Sequence, residues 1–153
     1  MSKQNVQREQ KLLQLGKDLA RRAKSCCELC SNNTSLYALE IPPFPEEPTL
    51  EHSLFLCDIC IQRMNAILPS SQKQKSISKS QKEKQEKLFL SNDLLFLQQK
   101  VWSEIPVVQI SAIVISHKAM SLGFGWAIEM IDGLFLEEEN TKWVQELVPS
   151  LRL

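Results

Sequence analysis

Residues 27–30 read CELC and residues 57–60 read CDIC, and the structure predicted for the first half of the chain depends on these two segments. Each is a C-x-x-C pair, in which the turn directs two sulfur atoms at one position. Brought together, the two pairs complete a tetrahedral shell of four thiolates, the ligand set that Zn²⁺ often takes in structural sites. The sequence therefore predicts a zinc site with four ligands, which are Cys27, Cys30, Cys57 and Cys60.

Three other chemistries use similar cysteine spacings. A rubredoxin-like iron site also has two C-x-x-C pairs, but it usually has glycine after each pair, where this chain has Ser31 and Ile61. A thioredoxin-type redox site needs one pair between a strand and a helix of a βαβ unit, and the sequence indicates no such unit. A hydrolytic zinc site keeps one position open for water, which four thiolates do not leave. Structural zinc is the favoured interpretation, and iron is the alternative.

Two further residues lie close to the predicted ligands. Cys26 adjoins Cys27, but three residues separate it from Cys30, so the two-residue spacing of the other pair leaves it as a spare, partly buried thiol. His52 precedes Cys57 by a short segment and could replace a sulfur ligand. Because four thiolates are available, we expect His52 to be a loop histidine instead.

Residues 6–24 predict an amphipathic helix, because apolar side chains recur at three- and four-residue steps at Leu12, Leu15, Leu19 and Ala23. Asp18 and Arg22 are placed to pair across one turn. Arg22 is also expected to lie at a solvated end of the helix, together with its basic neighbours Arg21 and Lys24, where cations complement the helix dipole.

The cysteine pairs flank a predicted β-hairpin. Alternating residues predict a strand over 35–41, and residues 54–56 predict a second strand leading into Cys57. The prolines between them indicate an extended loop, and helical spacing predicts a short helix over 61–68. Residues 1–68 are therefore expected to form an N-terminal helix and a small zinc-ribbon or treble-clef-like β-hairpin module. A module this small needs its metal in order to fold.

The rest of the chain is predicted to be a linker and a helical domain. Residues 69–87 consist of Ser, Gln and Lys with little else, which is typical of a flexible linker. In residues 88–153, a helix is predicted from an N-cap at Ser103, with Pro106 in its first turn, to a stop at Gly123. Two more helices are predicted over 126–135 and from Glu137 to about Val148. The fold class is α+β overall, a zinc-ribbon-like hairpin module followed by an all-α segment.

Composition and charge indicate a cytoplasmic protein. The 18 Lys and Arg residues balance the 18 Asp and Glu residues, so net charge favours neither a nucleic acid nor an acidic partner. The first residues are polar, without the apolar core of a signal peptide. The longest apolar stretch, 105–115, is too short to span a bilayer, so no membrane association is expected. In a reducing compartment, paired cysteines are metal ligands or redox thiols more often than disulfides.

Four segments together resemble the PhnA-like family of small bacterial proteins, which are named for an association with alkylphosphonate-utilisation genes. The segments are LARRAKSCCELC (19–30), CDIC (57–60), WSEIPVVQI (102–110) and GWAIEMIDGLFLEEENTKWVQEL (125–147). The resemblance implies an N-terminal zinc ribbon with the four cysteines at the family's metal positions. Residues 88–100 lack the Trp and Cys usual before the WSE segment. We also expect no counterpart here of the SH3-like β domain into which many relatives continue.

The sequence leaves three functional hypotheses. The favoured one is a non-enzymatic, metal-stabilised interaction module for a protein or nucleic-acid partner, because no catalytic residues are indicated. Glu137, Glu138 and Glu139 are expected at a helix start, and His117 at a helix end. The alternatives are an enzyme or accessory protein of phosphonate metabolism, such as a hydrolase, which the family name implies, and a regulator that responds to thiols or metal through Cys26. The apolar helix after Pro106 is compatible with a homo-oligomer.

Overall fold

The computed structural model describes residues 3–68 and 96–149, together with Phe89 and Leu94. The chain divides into two compact units, residues 1–61 and 62–153, which we name the cysteine unit and the helical unit. The predicted linker, residues 69–87, lies outside the described residues, so the domain boundary placed there stays a prediction. The predicted combination of a β-hairpin with several helices is confirmed.

The cysteine unit begins with helix α1, Lys3–Ala23. Leu19, on the predicted apolar side, is fully buried, whereas Leu13 is exposed. The helix stops where Lys24 and Ser25 both take positive φ values of 57°, and the Ser25 N–H donates to the Ala20 carbonyl at 2.8 Å. This left-handed turn redirects the chain into the first cysteine pair.

The predicted hairpin consists of β1, Leu36–Glu40, and β2, Ser53–Cys57. The strands are antiparallel, with Leu36 opposite Cys57 at one end and Glu40 opposite Ser53 at the other. A proline-rich connection joins them and ends in a 3₁₀ turn, Leu50–His52. Cys57 is therefore the last residue of the second strand.

Helix α2, Asp58–Asn65, follows directly. The sequence predicted a start at residue 61, and that boundary is wrong because the helix already begins at Asp58, so that Cys60 lies in its first turn. Asp58 lies at the positive end of the helix dipole, which favours an early start. Cys60 is consequently held by helical backbone.

The helical unit contains α3 (Leu97–Lys100), α4 (Pro106–Ser121), α5 (Gly125–Asp132) and α6 (Glu138–Leu147). α4 packs against the other three, which accounts for the apolar residues on most of its sides. Its buried residues are Val107, Val108, Ile110, Ser111, Ala112, Ile113, Val114, Ile115, Ser116 and Ala119. Within the described part of the chain, no helix is both long and apolar enough to cross a membrane.

The sequence predicted the C-terminal end of α4 correctly and its N-terminal end incorrectly. Gly123, with φ of 93°, follows the last turn as predicted. Ser103 is not the N-cap: Pro106 takes the first helical position, which makes Ile105 the N-cap residue. The Ser103 hydroxyl instead accepts the Ile105 N–H at 3.2 Å. The proline thus fixes the start of the helix two residues later than a serine cap would.

Candidate metal centre

The four cysteines of the two C-x-x-C pairs lie together in the cysteine unit. The Sγ atoms of Cys27, Cys30, Cys57 and Cys60 all lie within 4.8 Å of one another, and those of Cys30 and Cys57 are 3.4 Å apart. A tetrahedral ion with metal–sulfur bonds of about 2.3 Å requires sulfur atoms about 3.8 Å apart. The cluster therefore has the size of a four-thiolate metal site.

Backbone hydrogen bonds shape the first cysteine pair. The Cys30 N–H donates to the Cys27 Sγ at 3.5 Å, and the Ser31 N–H donates to the Cys27 carbonyl at 3.0 Å. The Cys27 N–H donates to the Asn32 carbonyl at 2.7 Å, and Ser31 has a positive φ of 67°. These bonds curl residues 27–32 tightly, so both sulfur atoms of the pair face the same point.

The second pair is positioned by regular structure. Cys57 ends β2 opposite Leu36, and Cys60 lies in the first turn of α2. Because the end of a strand and the start of a helix have fixed backbone angles, they determine where the Cys57 and Cys60 sulfur atoms lie relative to each other. The site thus joins one curled loop to one strand–helix junction.

The cluster is shielded from solvent on most sides. Cys27, Cys57 and Cys60 are 2%, 1% and 0% exposed, whereas Cys30 is half-buried. Buried thiolates are unfavourable unless a cation or hydrogen bonds compensate their charge. Both the donor atoms and their burial fit a resident metal ion.

Without a cation, the thiols ionise unevenly. A hydrogen bond from Cys30, and to a smaller extent one from Cys60, hold the pKa of Cys27 far below its ordinary value. The hydrogen bond with Cys27 raises the pKa of Cys30 to about 11, and bonds with Cys27 and Cys30 raise the pKa of Cys60 far above its usual range. Four adjacent thiolates repel one another, so ionisation of the whole cluster requires a positive charge at its centre.

A buried ion pair adjoins the cluster. The guanidinium of Arg22 binds both carboxylate oxygens of Glu28, with Nε–Oε2 at 2.9 Å and Nη2–Oε1 at 2.8 Å. The prediction that Arg22 lies at a solvated helix end is wrong: its side chain is 19% exposed and that of Glu28 is 3% exposed. Arg22 turns inward because the chain reverses at Lys24 and Ser25 and brings Glu28 back to the end of α1.

Sequence reasoning missed Glu28 as a residue of the site. The signal was its position between two predicted ligands, Cys27 and Cys30, where a carboxylate beside thiolates needs a neutralising cation. The pairing of Asp18 with Arg22, favoured by the helical spacing, is not the ion pair that forms; Glu28 takes its place.

The two flanking candidates lie where the sequence placed them. Cys26 is half-exposed, and it does not belong to the sulfur cluster identified among the described residues. His52 belongs to the 3₁₀ turn before β2, and the same cluster does not include it. His117, near the end of α4, is also outside the cluster, and burial lowers its pKa.

The chain matches no family model, and no curated protein or solved structure is significantly similar to it. The function of the site is therefore inferred from its geometry and donor atoms.

Proposed function

We propose that this protein binds one Zn²⁺ ion through Cys27, Cys30, Cys57 and Cys60, and that the ion stabilises an interaction module without taking part in catalysis. The observation that carries the proposal is the convergence of four Sγ atoms within 4.8 Å. The two cysteine pairs approach from separate parts of the chain, so one ion would join the loop before β1 to the junction between β2 and α2.

The donor set favours a structural role. Structural zinc sites are four-coordinate and closed, whereas catalytic sites have three protein ligands and a water. Zinc is preferred to iron because Ser31 and Ile61 follow the pairs, where rubredoxin-like sites have glycine. Tetrahedral sulfur ligands suit both metals, so metal analysis is the measurement that separates them.

The small size of the segment that carries the cysteines supports a requirement for metal. Below about 40 residues, a module usually needs disulfides, metals or a partner chain to fold. Residues 26–60, which carry both cysteine pairs and the hairpin, are of that size. Binding of zinc to small structural sites supplies about 10–16 kcal/mol in apparent free energy. The ion would therefore contribute as much as the whole stability of an ordinary domain.

The proposed fold type is a zinc-ribbon or treble-clef-like module of a PhnA-like protein. Two features support it: a hairpin with a cysteine pair at its base, and a second pair that runs directly into helix α2. The resemblance of CELC, CDIC and the WSEIPVVQI segment to the PhnA-like family supports the same assignment. The partner would be a protein or a nucleic acid.

Metal analysis of the purified protein tests the binding site. We expect one zinc per chain, and its loss in a Cys57→Ser variant. Cys26→Ser is the matched control, because it removes a thiol outside the cluster and should retain the full metal content. Iron in place of zinc, or full zinc content in Cys57→Ser, would contradict the proposed site.

A second pair of measurements tests the non-enzymatic role. We expect a specific protein or nucleic acid to be retained by the zinc-loaded chain and released when a chelator is added. Alkylphosphonates incubated with the zinc-loaded chain should release no more phosphate than with Cys27→Ser. Phosphate release above that control would replace the proposal with a hydrolase.

A further inference from the structure

We propose that Glu28 and Arg22 are positioning residues for the metal centre, holding the first cysteine pair against β2 so that the two pairs converge on one point. This inference rests on the proposed zinc site, and it assigns a role to two residues that are not ligands. The observations that support it all lie within the cysteine unit.

Glu28 ties the first cysteine pair to the strand that carries Cys57. The Glu28 N–H donates to the Phe55 carbonyl at 2.8 Å, and the Phe55 N–H donates to Glu28 Oε1 at 2.8 Å. One partner of these two bonds, Glu28, lies between Cys27 and Cys30 in the sequence. The other, Phe55, lies two residues before Cys57. The two bonds therefore set the distance between the two halves of the sulfur cluster.

Arg22 completes the attachment from α1. Besides the two bonds to Glu28, its guanidinium donates to the Leu50 carbonyl at 2.6 Å and to the Ser53 carbonyl at 2.7 Å. One side chain thus joins the end of α1, the first cysteine pair and the start of β2. The planar fork of arginine suits such a geometry, and the single ammonium of lysine does not reproduce it.

The charge of the pair fits a position beside four thiolates. Glu28 is bonded directly to Cys27 along the chain, and a lone buried carboxylate there would add to the negative charge that the metal must balance. Arg22 neutralises it with a bidentate contact. Both carboxylate oxygens already accept hydrogen bonds, so Glu28 orients the ligands and is not itself a ligand.

The same unit contains a second arginine–glutamate pair, which provides a matched comparison. Arg8 on α1 binds Glu40 at the end of β1, with Nε–Oε2 at 2.9 Å, and also donates to the Pro45 and Glu46 carbonyls. Glu40 lies opposite Ser53, four residues along the strand from the Leu36–Cys57 position. At about 3.4 Å per residue, that is about 14 Å from the cysteine end of the hairpin.

The test compares zinc affinity in four single variants. Glu28→Gln and Arg22→Lys change the proposed positioning pair, and Glu40→Gln and Arg8→Lys make the same chemical changes in the remote pair. Affinity is measured by competition with a chromophoric chelator. We expect the first two to bind zinc about 10–100-fold more weakly, as is typical for residues that orient metal ligands. The controls should change affinity by less than about fivefold.

A spectroscopic measurement separates positioning from general stability. Co²⁺ bound in place of zinc reports ligand geometry through its visible absorption bands. At saturating Co²⁺, we expect the bands of Glu28→Gln and Arg22→Lys to shift, and those of Glu40→Gln to stay unchanged. If the two residues act as a unit, their effects on zinc affinity should not add, because coupled residues are not additive. The double variant Arg22→Lys/Glu28→Gln should then bind zinc about as tightly as whichever single variant has the lower affinity.

The outcomes distinguish this inference from the proposed function. If the unchanged protein binds no metal, the zinc site and the positioning role both fail. If it binds zinc, and Glu28→Gln and Arg22→Lys match the controls in affinity and in cobalt spectrum, only the positioning role is overturned. If one of these variants does not fold at saturating zinc, the other decides by the same criteria.

Discussion

The two units of the chain are stabilised in different ways. In the cysteine unit, the buried apolar side chains other than cysteine, within the described residues, are Leu19, Leu29, Ile41, Leu54 and Leu56. Beside them stand a cluster of four sulfur atoms and the Arg22–Glu28 ion pair. In the helical unit, α4 alone buries ten residues, mostly aliphatic.

The two units should therefore respond differently to the loss of single contacts. A small core leaves stability concentrated in a few directional contacts, so loss of the proposed metal ion should remove most of it. A helix buried on all sides shares its stability among many weak contacts, each worth about 0.1–0.2 kcal/mol per atom pair. Single changes should therefore cause abrupt loss in the cysteine unit and graded loss in the helical unit.

The largest effect is expected on removal of the proposed zinc ion. A chelator should unfold the hairpin and both cysteine pairs, because it withdraws about 10–16 kcal/mol of binding free energy. Amide hydrogen exchange, read segment by segment, should show residues 26–60 losing protection while α4 keeps its own. If α4 lost as much protection as residues 26–60, the stability of the two units would not differ in its dependence on metal. If β2 kept its protection, the metal would be dispensable for folding.

The next largest effect is expected at the buried ion pair. Arg22→Met leaves Glu28 buried without its partner, and breaking such a pair typically costs about 3–5 kcal/mol. Arg8→Met should cost about 1 kcal/mol or less, because the Arg8 and Glu40 side chains are more exposed, at 29% and 13%. Exchange protection of β2 in the zinc-loaded protein measures both changes. An equal loss of stability in Arg22→Met and Arg8→Met would contradict the view that only the Arg22–Glu28 pair is important for stability.

In the helical unit, a cavity in α4 should weaken folding without affecting the metal. Ile113 is fully buried, and Ile113→Ala should cost about 2–5 kcal/mol. Ile128→Ala, at an exposed position on α5, should change stability by less than about 0.5 kcal/mol. Trp102, Trp126 and Trp143 all belong to this unit, so denaturant unfolding followed by tryptophan fluorescence reports it selectively. Reduced zinc content in Ile113→Ala would indicate that the units are coupled.

Acid should act on the cysteine unit through the thiols. Without metal, the pKa of Cys30 is raised to about 11 and the pKa of Cys60 is raised further, so both carry protons at neutral pH. Zinc requires thiolates, so we expect its binding to release at least these two protons and its affinity to fall as pH falls. Two protons correspond to about 100-fold in affinity per pH unit.

Chelator competition at two pH values near neutrality measures this dependence. The number of protons released is obtained independently by calorimetry in buffers that differ in ionisation enthalpy. A zinc affinity that does not change with pH would mean that the thiols are already ionised before the metal binds, contrary to the hydrogen bonds among Cys27, Cys30 and Cys60.

The parts of the structure that could be predicted from sequence depend on residues that are close together in the chain. C-x-x-C pairs, the strands that flank them and the stop at Gly123 are local features, and local backbone geometry determines them. These predictions hold because each needs only a few consecutive residues.

The parts that could not be predicted depend on how distant segments meet. Arg22 pairs with Glu28 instead of Asp18 because Lys24 and Ser25 reverse the chain, and two consecutive positive φ values at non-glycine residues have no clear sequence signal. The early start of α2 depends on the junction with β2 at Cys57. The cap of α4 moves from Ser103 to Ile105 because Pro106 fixes the first helical position.

The smallest expected effects come from two glycines with opposite roles. Gly16 lies within α1, and a Cβ added there meets no atom within 4 Å. Gly16→Ala should therefore stabilise the cysteine unit by about 0.5–1 kcal/mol, because alanine has the higher helix propensity. Gly123 ends α4 with φ of 93°, so Gly123→Ala should destabilise the helical unit by about 1–2 kcal/mol despite open space around it.

Hydrogen exchange in α1 and tryptophan fluorescence of the helical unit measure the two effects separately. The sign is the informative quantity, since the same substitution is made in open space at both positions and only the backbone conformation differs. If Gly16→Ala stabilised α1 while leaving zinc affinity unchanged, the helix would contribute to its unit independently of the metal. If zinc affinity rose in parallel, α1 would act on the metal centre, and Arg22, on its last turn, is the residue through which it would do so.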